Sequence, residues 1–259
     1  MVLFNAKNEK IMKQRNITSF KQLGIGLLLV TLLWGACKRD EYYTDGGLAN
    51  PHFEGTILQY LDSKPMQFDT IAEIVRLAGL EETFNNEEFT FFCPSDRDIK
   101  DLISDYRHDG VNKKLYELNR DTIKTLGDVD SLIWRKYLLR YMFRGRNVLA
   151  DYPQIDPDLS NVYPGQNYYA YDNSISKIGV FYNDAVSSDG KSVLKYMGYR
   201  QLFIYYIPNL SYPDMTIENR VASSDIQPTN GVVHVLDYTR GSFGFDSGEV
   251  IDDIVQSKR

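Results

Sequence analysis

The sequence predicts an α+β fold, and three features of its pattern support that class. Apolar residues recur at helical spacing in residues 68–80 and again in 113–142. One aromatic-rich run, FTFFCPSD at 89–96, interrupts this helical part and is typical of a strand. From about residue 147, Gly, Pro, Asn and Asp separate short runs rich in β-branched and aromatic residues. Helices first and strands later, with one early strand, is the order expected of an α+β domain.

The first 36 residues have the composition of a secretory signal. Five basic side chains precede LGIGLLLVTLLWGA at 23–36, an uncharged apolar run of 14 residues that ends in small residues. Roughly 20 apolar residues are needed to cross a bilayer, so this run predicts a cleaved leader and not a membrane span. Met12 would give a shorter basic region, so the translation start stays open between Met1 and Met12.

Cys37 directly follows the leader and predicts lipidation. Gly35 and Ala36 precede it, which resembles a lipobox, with Trp34 in place of the usual aliphatic residue. An ordinary signal peptide with an incidental cysteine is the alternative. Several acyl chains hold a protein in the membrane, since each buried methylene contributes about 0.8 kcal/mol. KRDE at 38–41 is similar to the surface-export signal of lipoproteins from Bacteroidetes-type bacteria, so we expect a lipid-anchored protein exposed on the outer membrane.

The mature chain is acidic and poor in cysteine. Residues 1–36 carry five basic side chains and one acidic one, so their removal changes the formal net charge from −6 to −10. A chain with this net negative charge has no excess of basic side chains to neutralise the phosphates of a nucleic acid. The charge therefore argues against nucleic acid as a partner. Cys93 is the one cysteine left beside Cys37, so we expect no disulfide within the chain despite an oxidising compartment.

The mature chain divides into a tether, one domain and a C-terminal segment. Residues 37–54 contain paired glycines and few aliphatic residues, and they predict a short tether. Residues 55–245 are long enough for one domain with a sizeable core. Residues 246–259 predict a short helix or a frayed tail.

The helical half of the sequence predicts several core-facing helices. In FDTIAEIVRLAGL (68–80), Gly79 lies where a glycine ends a helix. Ser95 or Asp96 is placed to cap the next helix, RDIKDLISDY. A further helical region covers roughly 113–142 and carries one broad apolar stripe. That stripe consists of Leu132, Ile133, Tyr137, Leu138, Tyr141 and Met142.

The second half predicts short strands joined by turns. The pairs Asp189-Gly190 and Asn230-Gly231 favour hairpins. The strand-like runs are NYYAYD (167–172), KIGVFYND (177–184), KSVLKYMGY (191–199), QLFIYYIPNL (201–210), MTIENRVASSDI (215–226) and GVVHVLDYT (231–239).

Three segments, in this order, resemble the fasciclin-type (FAS1) domain. FDTIAEIVRLAGLEETF…FTFFCPSD (68–96) is similar to its first signature, an amphipathic helix, a glycine stop and a strand that ends in a Pro-Ser/Thr-Asp/Asn corner. LLRYMFRGR (138–146) is similar to its central segment, in which Leu-Leu-x-Tyr-His runs into a Pro-Gly turn. SSDIQPTNGVVHVLD (223–237) resembles its last signature, an Asp-Ile pair, an Asn-Gly turn and an apolar strand with one histidine.

The resemblance implies a FAS1-like β-sandwich or wedge of short strands with several helices packed at one side, and a role in adhesion or extracellular recognition. The residues that would form its structural motif are Tyr141, Asp225, Asn230, Gly231 and His234. The chain departs from the family at Met142, where histidine is common, and its turn at 145–146 lacks the proline. Any property of other family members that requires this central histidine is therefore not expected of this chain.

His234 is the main candidate for chemistry. In a strand that begins after Gly231, Val232 and Leu236 share the face of the histidine, so the ring points into an apolar layer. A buried neutral imidazole needs one donor and one acceptor partner. We expect a structural histidine, with a base or a metal ligand as the alternative.

Apart from His234, the residue types that could carry chemistry are one cysteine, the other histidines and an acidic segment. Their patterns lead us to expect no catalytic residue, no metal and no cofactor. Cys93 and His234 are the residue types of a nucleophile–base pair, but Cys93 lacks the adjacent cation that would lower the pKa of its thiol, so we expect an inert buried thiol. His52, His108 and His234 are isolated from one another. DYPQIDPDLSN (151–161) lacks the loop glycine and terminal glutamate of an EF-hand.

Tyrosine is the remaining unusual feature. The chain has 19 tyrosines, and most follow residue 137, so about half of those on strands should face solvent. An exposed tyrosine ring stacks on a sugar or anchors a protein partner, whereas a buried one only packs. The ligand-contact candidates are Tyr168, Tyr169, Tyr171 and Tyr182.

These features predict a surface-anchored, non-catalytic binding or adhesion lipoprotein that serves outer-membrane capture of a nutrient, often a glycan, beside a transporter. The alternative is a structural lipoprotein that docks an envelope protein partner through residues 97–135 and binds no small molecule. An enzyme is the third class, and the sequence offers it no catalytic constellation.

Overall fold

A seven-stranded mixed sheet forms the centre of the molecule. The computed structural model describes residues 50–105, 108–239 and 241–258. The leader at 1–36, the lipidation site Cys37 and most of the tether at 37–54 lie outside the described residues. The strands are β1 (Phe89–Cys93), β2 (Met142–Arg144), β3 (Gln166–Tyr169), β4 (Ile175–Tyr182), β5 (Ala185–Val186), β6 (Val193–Leu194), β7 (Arg200–Tyr206), β8 (Ile217–Ile226) and β9 (Gly231–Leu236). The order of strands in the large sheet is β2-β1-β9-β8-β7-β4-β3.

The two edges of this sheet come together, so the sheet is nearly closed. Phe143 in β2 bridges Ala170, which directly follows β3. The N–H of Tyr171 donates to the carbonyl oxygen of Met142 at 2.9 Å. A nearly closed sheet has an inner and an outer face, and alternate residues of each strand point to one or the other.

The described part of the chain also contains seven α-helices. They are α1 (Ile57–Asp62), α2 (Pro65–Leu77), α3 (Glu81–Asn86), α4 (Asp96–Ile103), α5 (Val111–Glu117), α6 (Ser131–Leu139) and α7 (Ser247–Ser257). The mixture of helices and strands confirms the α+β class. None of the described helices combines the length and the apolar character needed to cross a membrane.

The predicted start and stop signals around α2 and α4 are confirmed. Gly79 has φ +64° just after α2, where the left-handed conformation favours glycine. Ser95 precedes α4, and the carboxylate of Asp98 accepts hydrogen bonds from the Ser95 N–H at 2.7 Å and its hydroxyl at 2.8 Å. Asp98, in the first turn of α4, thus holds the residue that precedes the helix.

The helix predicted over 113–142 is wrong in extent. Two separate helices, α5 and α6, replace it, and α6 ends at Leu139. Met142 belongs to β2 and pairs with Phe91, so Tyr141 and Met142 are buried by the sheet and not by a helix stripe. Leu132, in the first turn of α6, is 69% exposed and does not belong to the core. Sheet pairing overrides local helical periodicity here.

The strand predicted over 191–199 is shorter than expected. Only Val193–Leu194 is extended, and it pairs with Ala185–Val186 as a separate two-stranded hairpin. Gly190 has φ +71° in the connecting turn, so the predicted Asp189-Gly190 hairpin is confirmed.

The C-terminal segment forms α7 and packs on α6 through a buried arginine. Asp246 caps the helix by accepting from the N–H of Gly248 at 2.9 Å. Arg140 is 5% exposed and binds Glu249 in α7 through two hydrogen bonds of 2.8 Å. The rings of Tyr137 and Tyr206 lie 4.6 and 5.0 Å from its guanidinium carbon. Charge, hydrogen bonds and aromatic contacts together hold α7 in place.

Candidate functional site

His234 lies in the middle of β9 and is completely buried. It stands opposite Phe92 across the parallel β1–β9 pair, with ring centroids 5.0 Å apart. Tyr152 closes the cluster, 6.0 Å from the imidazole. The ring therefore sits in the aromatic layer on the inner face of the sheet.

Both ring nitrogens of His234 have partners. Nε2 lies 3.0 Å from the carbonyl oxygen of Asn147, and since a carbonyl only accepts, Nε2 carries the proton. Nδ1 accepts from the N–H of Asp225 at 3.3 Å. Burial lowers the pKa of His234 to about 4, although the Asn147 carbonyl and the Asp225 charge oppose this. The imidazole is thus neutral at pH 7 and uses its full hydrogen-bonding capacity within the protein.

Asp225 reaches His234 because β8 is irregular at this point. The β8–β9 pairing shifts register between Ser223 and Ile226, and Asp225 has φ +63°. Its carboxylate accepts from the N–H of Leu149 at 2.7 Å and lies 3.9 Å from Nδ1 of His234. The bulge lets one residue join β8, β9 and the segment after β2, which is a positioning role.

Asn230 and Gly231 form a second junction at the start of β9. The side-chain oxygen of Asn230 accepts from the N–H of Ile57 at 2.8 Å, and its amide nitrogen donates to the carbonyls of Phe84 and Glu87 at 2.9 and 3.0 Å. A Cβ added at Gly231 would lie 2.1 Å from the carbonyl oxygen of Phe89. Asn230 therefore ties α1 and α3 to the sheet, and Gly231 lets β1 and β9 approach.

Tyr141 holds a different part of the fold. Its buried hydroxyl accepts from the N–H of Gly244 at 2.7 Å and of Phe245 at 3.2 Å, and donates to the carbonyl of Ser242 at 3.1 Å. Burial raises the pKa of Tyr141 far above its ordinary value. The structure thus brings Asp225 and His234 together, while Tyr141 fixes the segment that leads into α7.

Cys93 cannot act with His234. Cys93 pairs with Val235 and Phe92 pairs with His234, so the thiol and the imidazole project to opposite faces of the sheet. The thiol is fully buried, with Sγ 3.2 Å from the carbonyl oxygen of Pro94. Burial raises the pKa of Cys93 well above its ordinary value. Within the described residues, no three His, Cys, Asp or Glu side chains are grouped so as to hold a metal ion.

The four ligand-contact tyrosines do not form one surface. Tyr169 is 67% exposed, but Tyr168 packs edge-on against Tyr152 at 5.4 Å. Arg144 lies over the ring of Tyr171 at 5.0 Å, and Arg200 lies over that of Tyr182 at 3.5 Å. Tyr169 pairs with Ile175 at one end of β4, whereas Tyr182 ends the same strand, about 20 Å away at ~3.3 Å per residue.

The structure reveals an open groove that the sequence does not predict. We call it the α2–α4 groove; it has a volume of about 490 Å³ and lies between these helices and the β8–β9 hairpin. Its apolar wall includes Phe68, Ile226, Val235 and Leu236, and its rim includes Met66, Arg97, Lys100 and Tyr238. These residues are spread over about 170 positions of the sequence, so no local sequence motif predicts the groove.

One wall of the α2–α4 groove includes Asp96, whose carboxyl group interacts with that of Asp69. Asp96 is 5% exposed, and its carboxylate accepts from the N–H of Ile71 at 3.0 Å. Burial, and then a hydrogen bond with Asp69, raise the pKa of Asp96 to about 6, while the pKa of the exposed Asp69 is lowered by the same hydrogen bond. Asp96 therefore keeps its proton to a higher pH than an ordinary carboxyl group does, while Asp69 stays ionised.

Comparisons with known proteins find similarity only among solved structures. No family model matches the sequence, and no curated protein matches it. The chain is similar to a FAS1 domain pair from the insect cell adhesion molecule fasciclin I, with 20% sequence identity and a TM-score of 0.44. The match covers 71% of this chain and 50% of that chain, so this chain spans about half the length of that structure. We therefore infer function from the contacts within this chain.

Proposed function

We propose that the mature chain is a lipid-anchored, surface-exposed binding domain of the FAS1 type that docks an envelope protein and catalyses no reaction. The lipobox-like WGAC at 34–37 supports the anchor. The junctions made by Asp225 and Asn230 support the FAS1 resemblance, because each signature residue joins separate elements of the fold. The separation of Cys93 and His234 on opposite faces supports the absence of nucleophilic chemistry.

One observation carries the docking role: a set of exposed apolar side chains that we call the hairpin patch. It lies on the hairpin after β4 and on the neighbouring segment 157–163. The rings of Tyr163 and Tyr196 are 5.7 Å apart, and the Tyr196 hydroxyl donates to Asp156 at 3.1 Å, so the two segments are held together. The exposed members are Leu159, Val162, Val186, Val193, Leu194, Met197 and Tyr199.

The composition of the hairpin patch favours a protein partner over a sugar. Aliphatic side chains gain energy from packing in a dry interface, whereas sugar recognition uses flat aromatic faces and polar groups. Exposed apolar residues that are scattered singly need no explanation, but several on two adjoining segments indicate an interaction surface. Residues 97–135, the predicted docking segment, expose only Leu118 and Leu132 as aliphatic side chains of this size among their described residues.

Glycan capture beside a transporter is the second candidate, and one observation favours it. Tyr169 has an exposed ring at the edge strand β3, free to stack on a sugar. The other three tyrosines have less ring surface open to a sugar. Tyr171 and Tyr182 lie under arginine guanidinium groups, and Tyr168 packs on Tyr152.

The test uses the full lipoprotein in the envelope of its own cells. Leu194→Glu with Met197→Glu places charge in the hairpin patch, and Leu118→Glu is a matched control on the helical side. We expect a co-purifying envelope protein that the double variant loses and the control keeps. A partner retained by the double variant would contradict the proposal, as would glycan binding that Tyr169→Ala abolishes with no protein partner at all.

A further inference from the structure

The α2–α4 groove has the features of a peptide-binding site. Its volume of about 490 Å³ lies within the range of roughly 300–1,000 Å³ typical of ligand sites, and most of its lining is apolar. Phe68 and Leu236 are buried, while Val235 and Ile226 are half-buried and remain open to an incoming group. The apolar wall can therefore receive one or two large side chains.

The rim of the groove is positively charged, in contrast to the chain as a whole. Arg97 and Lys100 are three residues apart in α4, so they lie on the same side of that helix. Arg97 lies 5.0 Å from the ring of Tyr238 and 3.6 Å from Asp101 across an exposed pair. Lys100 has no carboxylate within 4.0 Å among the residues that the structure describes, and its charge acts only at longer range on Asp69.

The rim also carries two exposed apolar side chains. Met66 is 94% exposed at the start of α2, and Tyr238 is 48% exposed beyond the end of β9. A small molecule that fills the groove would cover only the parts of these side chains that line it. A polypeptide that crosses the groove would cover them, and side chains of these types are frequent contact residues in protein interfaces.

We propose that the α2–α4 groove binds a partner-protein segment in which a large apolar side chain is followed closely by an acidic residue. The apolar side chain packs against Ile226 and Val235, and the carboxylate faces Arg97 and Lys100. This surface is separate from the hairpin patch and shares no residue with it, so the two binding events can be tested separately. Asp96 also lines the groove, but it is buried, whereas Arg97 and Lys100 are exposed and can meet a carboxylate of the partner.

Peptide display on the mature lipoprotein tests this proposal. A random twelve-residue library is selected against the protein in detergent, and enriched peptides are titrated by fluorescence anisotropy. We expect enriched sequences to carry an aromatic or aliphatic residue within about two positions of Asp or Glu. Arg97→Glu with Lys100→Glu should weaken their binding roughly tenfold or more, because charge reversal turns attraction into repulsion.

Two further variants separate the groove from general effects of charge and folding. Ala222→Trp fills the groove from an exposed position in β8 and should abolish binding without charge change. Lys113→Glu reverses an exposed charge on α5 and should leave binding unchanged. The proposal is wrong if no apolar–acidic peptides are enriched, or if the enriched peptides bind Ala222→Trp and the double charge variant as tightly as the natural protein.

Discussion

Cys93 and His234 lie on adjacent parallel strands, yet their side chains project to opposite faces of the sheet. The register that pairs Cys93 with Val235 and Phe92 with His234 fixes this separation. The thiol lies on the same side of the sheet as Tyr60 of α1, and the imidazole faces the inner aromatic layer. The two side chains that most resemble a nucleophile and a base therefore serve packing, which agrees with the binding role that we propose.

Replacing His234 should destabilise the fold strongly. His234→Ala leaves the carbonyl of Asn147 and the N–H of Asp225 without partners and opens a cavity beside Phe92. We expect a loss of about 3–5 kcal/mol in the free energy of unfolding, measured by urea denaturation. His52→Ala, at an exposed histidine, should change it by less than about 0.5 kcal/mol. Equal stabilities of the two variants would contradict a structural role for His234.

Adding a methyl group at Gly231 should be at least as damaging. Gly231→Ala would place its Cβ 2.1 Å from the Phe89 carbonyl oxygen, so β1 and β9 must separate. We expect a loss of about 3 kcal/mol or more by thermal or urea unfolding. Gly127→Ala is the matched control, because its Cβ would meet nothing closer than 3.8 Å. A Gly231→Ala protein as stable as the control would refute the close approach of the two strands.

The stability of the protein should respond to pH through His234 and Asp96 in opposite directions. The folded pKa of His234 is lowered to about 4 from about 6.5, so the unfolded chain binds the extra proton between these values and stability falls as pH falls. The folded pKa of Asp96 is raised to about 6 from 3.8, so stability falls as pH rises through that window. The natural protein should therefore show a shallow dependence between pH 4 and 6.

In an Asp96→Asn variant, the pH dependence of the free energy of unfolding between pH 4 and 6.5 should reflect His234 without the opposing effect of Asp96. The asparagine keeps an acceptor for the Ile71 N–H and a donor for Asp69, as the protonated acid does. Its free energy of unfolding should fall by up to about 3 kcal/mol between pH 6.5 and 4. Urea titrations at several pH values measure this slope. A slope identical to that of the natural protein would mean that Asp96 does not hold its proton near neutral pH.

Removing the guanidinium of Arg140 should loosen the C-terminal helix. Arg140→Met keeps the aliphatic stem but leaves Glu249 and Asp172 without their buried partner. We expect a loss of about 3 kcal/mol and faster amide exchange across Ser247–Ser257. Arg76→Met, which removes an exposed pair with Asp62, should cost less than about 1 kcal/mol. Unchanged exchange in α7 would show that Arg140 does not anchor it.

The parts of the fold that could be predicted from sequence are those set by local chemistry. Gly79 ends α2, and Asp189-Gly190 turns a hairpin, because only nearby residues decide those conformations. Tyr141 and Met142 were expected on a helix face because their spacing suits one. Pairing of Met142 with Phe91, a partner some 50 residues away, decides otherwise.

The candidate site, like the fold, could be predicted from sequence only where neighbouring residues determine it. The burial of His234 follows from the apolar residues on its own strand. One of its hydrogen-bond partners, Asp225, lies in the same sequence signature at 223–237. The second partner, the Asn147 carbonyl, belongs to the segment after β2 and carries no side-chain signal. The α2–α4 groove is less predictable still, since Met66, Arg97 and Tyr238 meet only in the folded chain.

The protonation of His234, followed by NMR of its imidazole carbons and nitrogens, tests the central claim most directly. If the ring is sealed and held by Asn147 and Asp225, it should stay neutral in one tautomer from pH 8 down to about 5, with a pKa near 4. An imidazole that titrates between pH 6 and 7 in the folded protein would instead be open to water and available for catalysis, and the binding-domain account would fail.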